Sequence, residues 1–217
     1  MANTDDLIES LSAGAAPVRR LRSPGVRTFG VVVLAAIVIL LLTWIRGLRA
    51  DFDMMSHDPS FWIQLIGAWL TGITATRAVF EISLPDRSRL WAVLPIPALI
   101  LWLSGFAVGC LAHWIVIPAD APVMEESKRC LTTIVSTTIP LALALWMMLR
   151  RTRPLRPGGT AWVAAIAVAG FADTAHLLLH TVEASALVLV INLIPCAVIV
   201  LLGGFGGRGR LNAVTSS

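Results

Sequence analysis

The chain has 217 residues, of which 57% are hydrophobic and only 14% charged, with a mean hydropathy of +0.81. Soluble domains are about a quarter charged, so this composition excludes a separate soluble domain of any size. The formal net charge of +4 is not a nucleic-acid signature, because its lysine and arginines, Arg77 apart, fall outside or at the edges of the long apolar runs.

Residues 1–26 are the one sizeable polar segment before the first run. Thr4 is placed to start a short helix, with Asp5 and Asp6 in the first turn, where the helix dipole favours acids. Leu7, Ile8 and Leu11 then share one apolar face, and Gly14 to Pro17 end it. The basic stretch Val18-Arg19-Arg20-Leu21-Arg22-Ser23-Pro24 leads onward. Composition leaves two readings open. One is a solvated tail whose arginines set membrane orientation. The other is a docking helix, too short to be stable alone and ordered by a partner.

Six apolar runs follow, at about 28–45, 61–83, 90–116, 129–149, 160–181 and 184–204. Each is close to the roughly 20 residues that cross the hydrocarbon core as a helix. They are continuously apolar rather than alternating, which excludes a β-barrel. The first run follows a long polar head, and no small-residue cleavage site precedes Trp44-Ile45-Arg46, so it reads as a retained anchor. Trp44, Trp62, Trp91 and Trp114 near the run ends match an aromatic belt.

Alternate gaps differ in charge. Arg19, Arg20, Arg22, Arg27, Arg87, Arg89, Arg150, Arg151, Arg153, Arg156, Arg208 and Arg210 fall on one side. Only Arg46, Arg49, Lys128 and Arg129 fall on the other, among Asp51, Asp53, Asp58, Asp120, Glu125, Glu126 and Glu183. Lysine and arginine bias sets orientation. The expected fold is therefore an all-α membrane protein, a six-transmembrane-helix bundle with both termini cytoplasmic and a short N-terminal cytoplasmic helix. Its divisions are 1–26 for the head, 27–207 for the transmembrane domain and 208–217 for a cytoplasmic tail.

Ionisable groups inside spans are costly and therefore informative. Arg77 and Glu81 lie one turn apart, able to pair along one helix face. Asp173, His176 and His180 share a face of the fifth run in its outer half. Cys110 and His113 in the third run, and Cys130 opening the fourth, fall at the same depth. Interhelical hydrogen bonding is the plainer explanation. Sensing of a soft metal such as zinc, or of an oxidant, is the functional one, since thiolate and imidazole suit such metals and outward thiols meet an oxidising compartment. No cofactor is implied and the metal, if any, is unknown. Cys196 in the sixth run reads as a small buried hydrophobe. Gly105 and Gly109 form a small-xxx-small pair of the kind that brings helices close. Catalytic templates such as His-Glu-x-x-His and Gly-x-Ser-x-Gly are absent, so no enzyme is expected.

The head Thr4-Asp5-Asp6-Leu7-Ile8, Leu11, Pro17-Val18-Arg19-Arg20-Leu21 and Pro24 resembles that of the NrsF-type membrane proteins, negative regulators of ECF sigma factors in proteobacteria. Pro85-Asp86-Arg87-Ser88-Arg89, Gly109-Cys110, Cys130, Pro154-Leu155-Arg156-Pro157 and His176 continue the resemblance along nearly the whole chain. It implies six helices and an anti-sigma factor at the bacterial inner membrane, which sequesters its ECF sigma factor and releases it on metal or oxidative stress. The partners would be the sigma factor and the lipid bilayer, with no direct contact to nucleic acid. Asp5, Asp6, Leu7, Ile8, Leu11, Pro17, Val18, Arg19, Arg20 and Leu21 would face the sigma factor. Cys110 and Cys130, with His176 and His180, would form the sensor. Many members carry a second sensor cysteine shortly after the fifth-run histidine. Leu179 and His180 stand there instead, so Cys130 has no cysteine of the fifth run to pair with, and a metal site using His180 stays open. The alternative from a different class is a small multi-pass transporter or channel, against which the charged groups cluster at the two ends of the spans.

Overall fold

The computed structural model describes residues 4–13, 22–84, 86–112, 123–150 and 157–179. The sixth apolar run, the tail from 208, His113, Trp114, His180 and head residues 17–21 lie outside these ranges. The described residues are helical and contain no strand. In chain order the helices are α1 (Thr4–Ala13), α2 (Pro24–Arg46), α3 (Phe52–Ser56), α4 (Pro59–Ile82), α5 (Ile96–Ala112), α6 (Val123–Arg150) and α7 (Pro157–Leu179), with a 3-10 helix at Arg89–Val93 before α5.

Four stretches are long and apolar enough to cross a membrane: Pro24–Arg46, Pro59–Ile82, Leu131–Leu149 and Gly158–Leu179. Proline opens α2, α4 and α7, where its missing N–H costs nothing. Asp58 caps α4, its carboxylate accepting from the Ser60 N–H at 2.8 Å.

The faces of α2 show what solvent the fold expects. Val31, Ala35 and Ile39 are buried, while Phe29, Val33, Ile37, Leu40 and Trp44 form an exposed apolar stripe, Trp44 being 83% exposed. A stripe of that size would be a liability in water and is the natural surface in lipid. The chain is therefore a membrane protein.

The third and fourth apolar runs differ from expectation in detail. A single span over 90–116 was expected, but Pro95 falls in a turn that divides it, leaving a 3-10 helix and then 17 residues of α5. Helix α6 starts at Val123, six residues before its apolar run, because the charged turn Glu125-Glu126-Ser127-Lys128-Arg129 is as good a helix former as the apolar part.

Helix α4 is the axis of the bundle, packing on α7, α5 and α2, with α6 lying against α7 and α2. It can be central because its buried positions in mid-helix are small: Gly67, Ala68, Thr71, Gly72, Ala75, Thr76 and Ala78. Small residues let helix backbones approach, and lipid provides no hydrophobic force to substitute for that packing. A Cβ at Gly67 would lie 2.5 Å from the Trp102 backbone nitrogen, and one at Gly105 2.6 Å from that of Gln64, so α4 and α5 cross glycine to backbone in both directions. On the other side, Gly170 of α7 approaches the Ala68 carbonyl as closely, and the Phe171 ring covers Gly72. Trp69 meets Phe171 edge to face at 5.2 Å.

The threonines in these faces satisfy themselves. Thr71, Thr76, Thr137 and Thr174 each donate to the carbonyl four residues back, at 2.7–2.8 Å. They add little interhelical glue and keep a buried hydroxyl from going unpaired. Pro140 within α6 removes the amide that would bond the Ser136 carbonyl, and so weakens the helix in mid-span.

Candidate functional site

Three polar clusters remain once the packing is accounted for. The first lies at the end of the bundle that carries α3. Arg49, in the connection from α2, has its side chain 5% exposed and forks onto Asp51 through two bonds of 2.7 Å. Its backbone N–H donates to the Leu178 carbonyl at 3.1 Å and Nη1 to the Leu177 carbonyl at 3.3 Å. Arg49 therefore ties the connection after α2 to α7 at Leu177 and Leu178. The Arg49 bond holds the Asp51 carboxyl below the usual carboxylate range. That contribution is present at neutral pH and disappears as pH falls through the lowered value. Arg46 reaches the Thr133 hydroxyl of α6 at 2.5 Å.

The second cluster is inside the spans. The Trp102 indole N–H on α5 donates to Asp173 Oδ2 on α7 at 2.8 Å. The Gln64 side chain of α4 lies beside that carboxyl. Three helices thus meet at one carboxylate, next to the Gly67/Gly105 crossing. His176, one turn further along α7, is buried.

The third cluster occupies the opposite end. Glu81 has its side chain 1% exposed between Arg77, at 2.5 Å, and Arg87, at 3.3 Å. These are contacts of charge rather than well-directed hydrogen bonds. A carboxylate so buried needs them, because an unpaired charge there would be prohibitive. Arg77 stands 6.0 Å from the Trp91 ring. Arg27 of α2 lies 4.2 Å over the Phe80 ring and donates to the Met148 carbonyl of α6 at 2.8 Å, tying α2, α4 and α6 together. The head joins the bundle at this same end, through Pro24.

Among the residues singled out from sequence, Asp5, Asp6, Leu7, Ile8 and Leu11 fall on α1, where Asp6 and Ile8 are exposed. Cys110 falls in the last turn of α5 and Cys130 in the second turn of α6, both toward the α3 end. His176 falls in the last described turn of α7, and among the described residues no group of three or more His, Cys, Asp or Glu is placed to hold a metal ion. The Arg77–Glu81 pair forms as its spacing predicts. Arg87 completes that pair, and spacing alone did not reveal it. Trp102 and Gln64 were also missed. Their one sequence signal was an amide and an indole within apolar runs that also contain glycine.

Among the described residues, geometry defines an all-helical membrane protein in which Arg27, Arg49 and Trp102 tie helices together. The chain matches the family model NrsF, negative regulator of sigma F, over residues 11–212, and it belongs to that family. No curated protein and no solved structure matches it. The family is one of sigma-factor regulators, not of enzymes, so the chain is a negative regulator with a sigma factor as its partner.

Proposed function

We propose that the protein is a membrane-bound anti-sigma factor. It holds an ECF sigma factor at the bacterial inner membrane, away from RNA polymerase, and releases it under metal or oxidative stress. The carrying observation is the family match along residues 11–212. It is supported by four helices fit to cross a membrane and by a separate helix, α1, joined to the bundle through a basic segment. In this reading residues 1–26 bind the sigma factor, 27–207 anchor it and 208–217 form a cytoplasmic tail. Pro17 to Leu21 lie within the matched span, while Asp5 to Ile8 precede it. The direct test is affinity capture of the full chain from detergent-solubilised membranes. A sigma factor should co-purify, and deleting the chain should raise that factor's regulon. Capture without any sigma factor would refute the reading.

Orientation follows from the arginine bias. Reporter fusions after Pro122 should behave as periplasmic and those after Gly158 as cytoplasmic. A reversed result at either point would exclude the six-span arrangement with both termini inside.

Cys110, Cys130, His176 and His180 are proposed as the sensor. They come from different helices or turns, so a ligand binding them would favour one packing over another. Cys110→Ser and Cys130→Ser should keep sigma binding and lose most of the induction. His180→Ala should impair a metal response and spare an oxidative one. Induction ratios from a sigma-dependent reporter decide this; parental values in both cysteine variants would make the thiols packing residues.

A further inference from the structure

We infer that Trp102, Gln64 and Asp173 are positioning residues of the repressing state. They form a latch that sets the register of α5 against α4 and α7, and opening that latch is the movement that releases the sigma factor. The inference rests on the anti-sigma reading and adds the moving element to it.

Among the described residues, α5 presents much of its apolar surface outward. Ile96, Ile100, Leu103 and Val108 are all exposed, and α4 is its main neighbour. Its contact with α4 is the crossing at Gly67 and Gly105, where backbone lies on backbone. Such a surface holds helices close but has no knobs to fix their position along the axis. Direction comes instead from the Trp102 N–H aimed at Asp173 Oδ2 at 2.8 Å. Among the described residues, this is the side-chain bond that joins α5 to α7. The Gln64 side chain of α4 lies beside the same carboxyl, so three helices meet at one acceptor.

Stability does not explain the choice of groups. An apolar trio of similar volume would pack in lipid without the cost of a carboxyl in the span. A directional polar network does something packing does not: it selects one discrete arrangement and leaves another available when its bonds are exchanged. Placement fits that role. Cys110 is eight residues along α5 from Trp102, and His176 is three along α7 from Asp173. Each half of the latch therefore shares its helix with a proposed sensor residue nearer the α3 end.

The test uses the full chain with spin labels carried on a keto-amino acid at positions 103 and 162. Leu103 and Trp162 lie on exposed faces of α5 and α7. Trp102→Phe removes the donor and keeps a ring; Asp173→Leu removes the acceptor; Asp173→Asn keeps an acceptor. In the first two variants the 103–162 distance distribution should shift or broaden, and a sigma-dependent reporter should rise at least tenfold at unchanged membrane abundance. Asp173→Asn should behave as the parent in both measurements. An unaltered distance distribution in Trp102→Phe overturns the latch. So does derepression that merely tracks loss of protein from the membrane, since that marks a structural tie. Equal damage from Asp173→Asn and Asp173→Leu also overturns it, because charge and not the hydrogen bond would then be what matters. If Asp173→Leu fails to accumulate, Trp102→Phe decides alone. The distance measurement contains no sigma factor, so it stands or falls separately from failure of the parent chain to bind one.

Discussion

Replacing Leu7, Ile8 and Leu11 together with Asp should switch the sigma factor's regulon fully on while the protein stays in the membrane. On α1 these positions recur at helical spacing, and Ile8 is 59% exposed in the unbound chain. Burying each such side chain in a partner groove contributes about 1.5–3 kcal/mol, less the cost of ordering a short helix. Loss of all three, plus the cost of three buried carboxylates, should weaken binding at least about a hundredfold. Reporter activity and the membrane-bound fraction of the sigma factor measure this directly. Full repression by a normally inserted triple variant would remove α1 from the interface and leave the basic segment Val18 to Arg22 as the contact.

The largest effect on the bundle itself is expected from Gly67→Ala. The added methyl would sit 2.5 Å from the Trp102 backbone nitrogen and 2.6 Å from its Cα, and neither atom can turn aside. Helices α4 and α5 must separate, at a cost of about 1–3 kcal/mol. Gly159→Ala is the matched control: nothing lies within 4 Å of its Cβ, and exchanging glycine for alanine in a helix gains roughly 0.5–1 kcal/mol. Thermal melting of the detergent-solubilised protein should therefore move in opposite directions for the two variants. A Gly67→Ala protein as stable as the parent would mean the crossing is looser than the structure has it.

Hydropathy made the main helices legible. Helices α2, α4 and α7 lie close to their apolar runs because nothing within those runs competes with helix, and their prolines fall where a helix begins. The interruption at Pro95 was harder to see, because a proline between Leu94 and Ile96 does not lower hydropathy. The short helix Phe52–Ser56 sits in a connection that charge counting treats only as a polar gap. In the polar clusters the dividing line is sequence separation. Arg77 and Glu81 announce themselves through helical spacing. Trp102 and Asp173 are 71 residues apart, and no local pattern relates an indole on one helix to a carboxyl on another. Asp173 shares a helix face with His176 and His180 in the sequence pattern, whereas its bond runs to Trp102 on α5.

The central place of α4 also constrains how the protein is made. Its small-residue face is completed by α7, whose Phe171 is made 89 positions after the end of α4 (171 − 82). At about 5–20 residues per second, the ribosome needs roughly 5–20 s to supply that partner. During this interval α2, α4 and α5 are in the bilayer with the Gly72 groove filled by lipid instead of Phe171. Premature termination after α6 leaves that groove open permanently, and gives membrane quality-control proteases a ready means of telling an unfinished chain from a finished one.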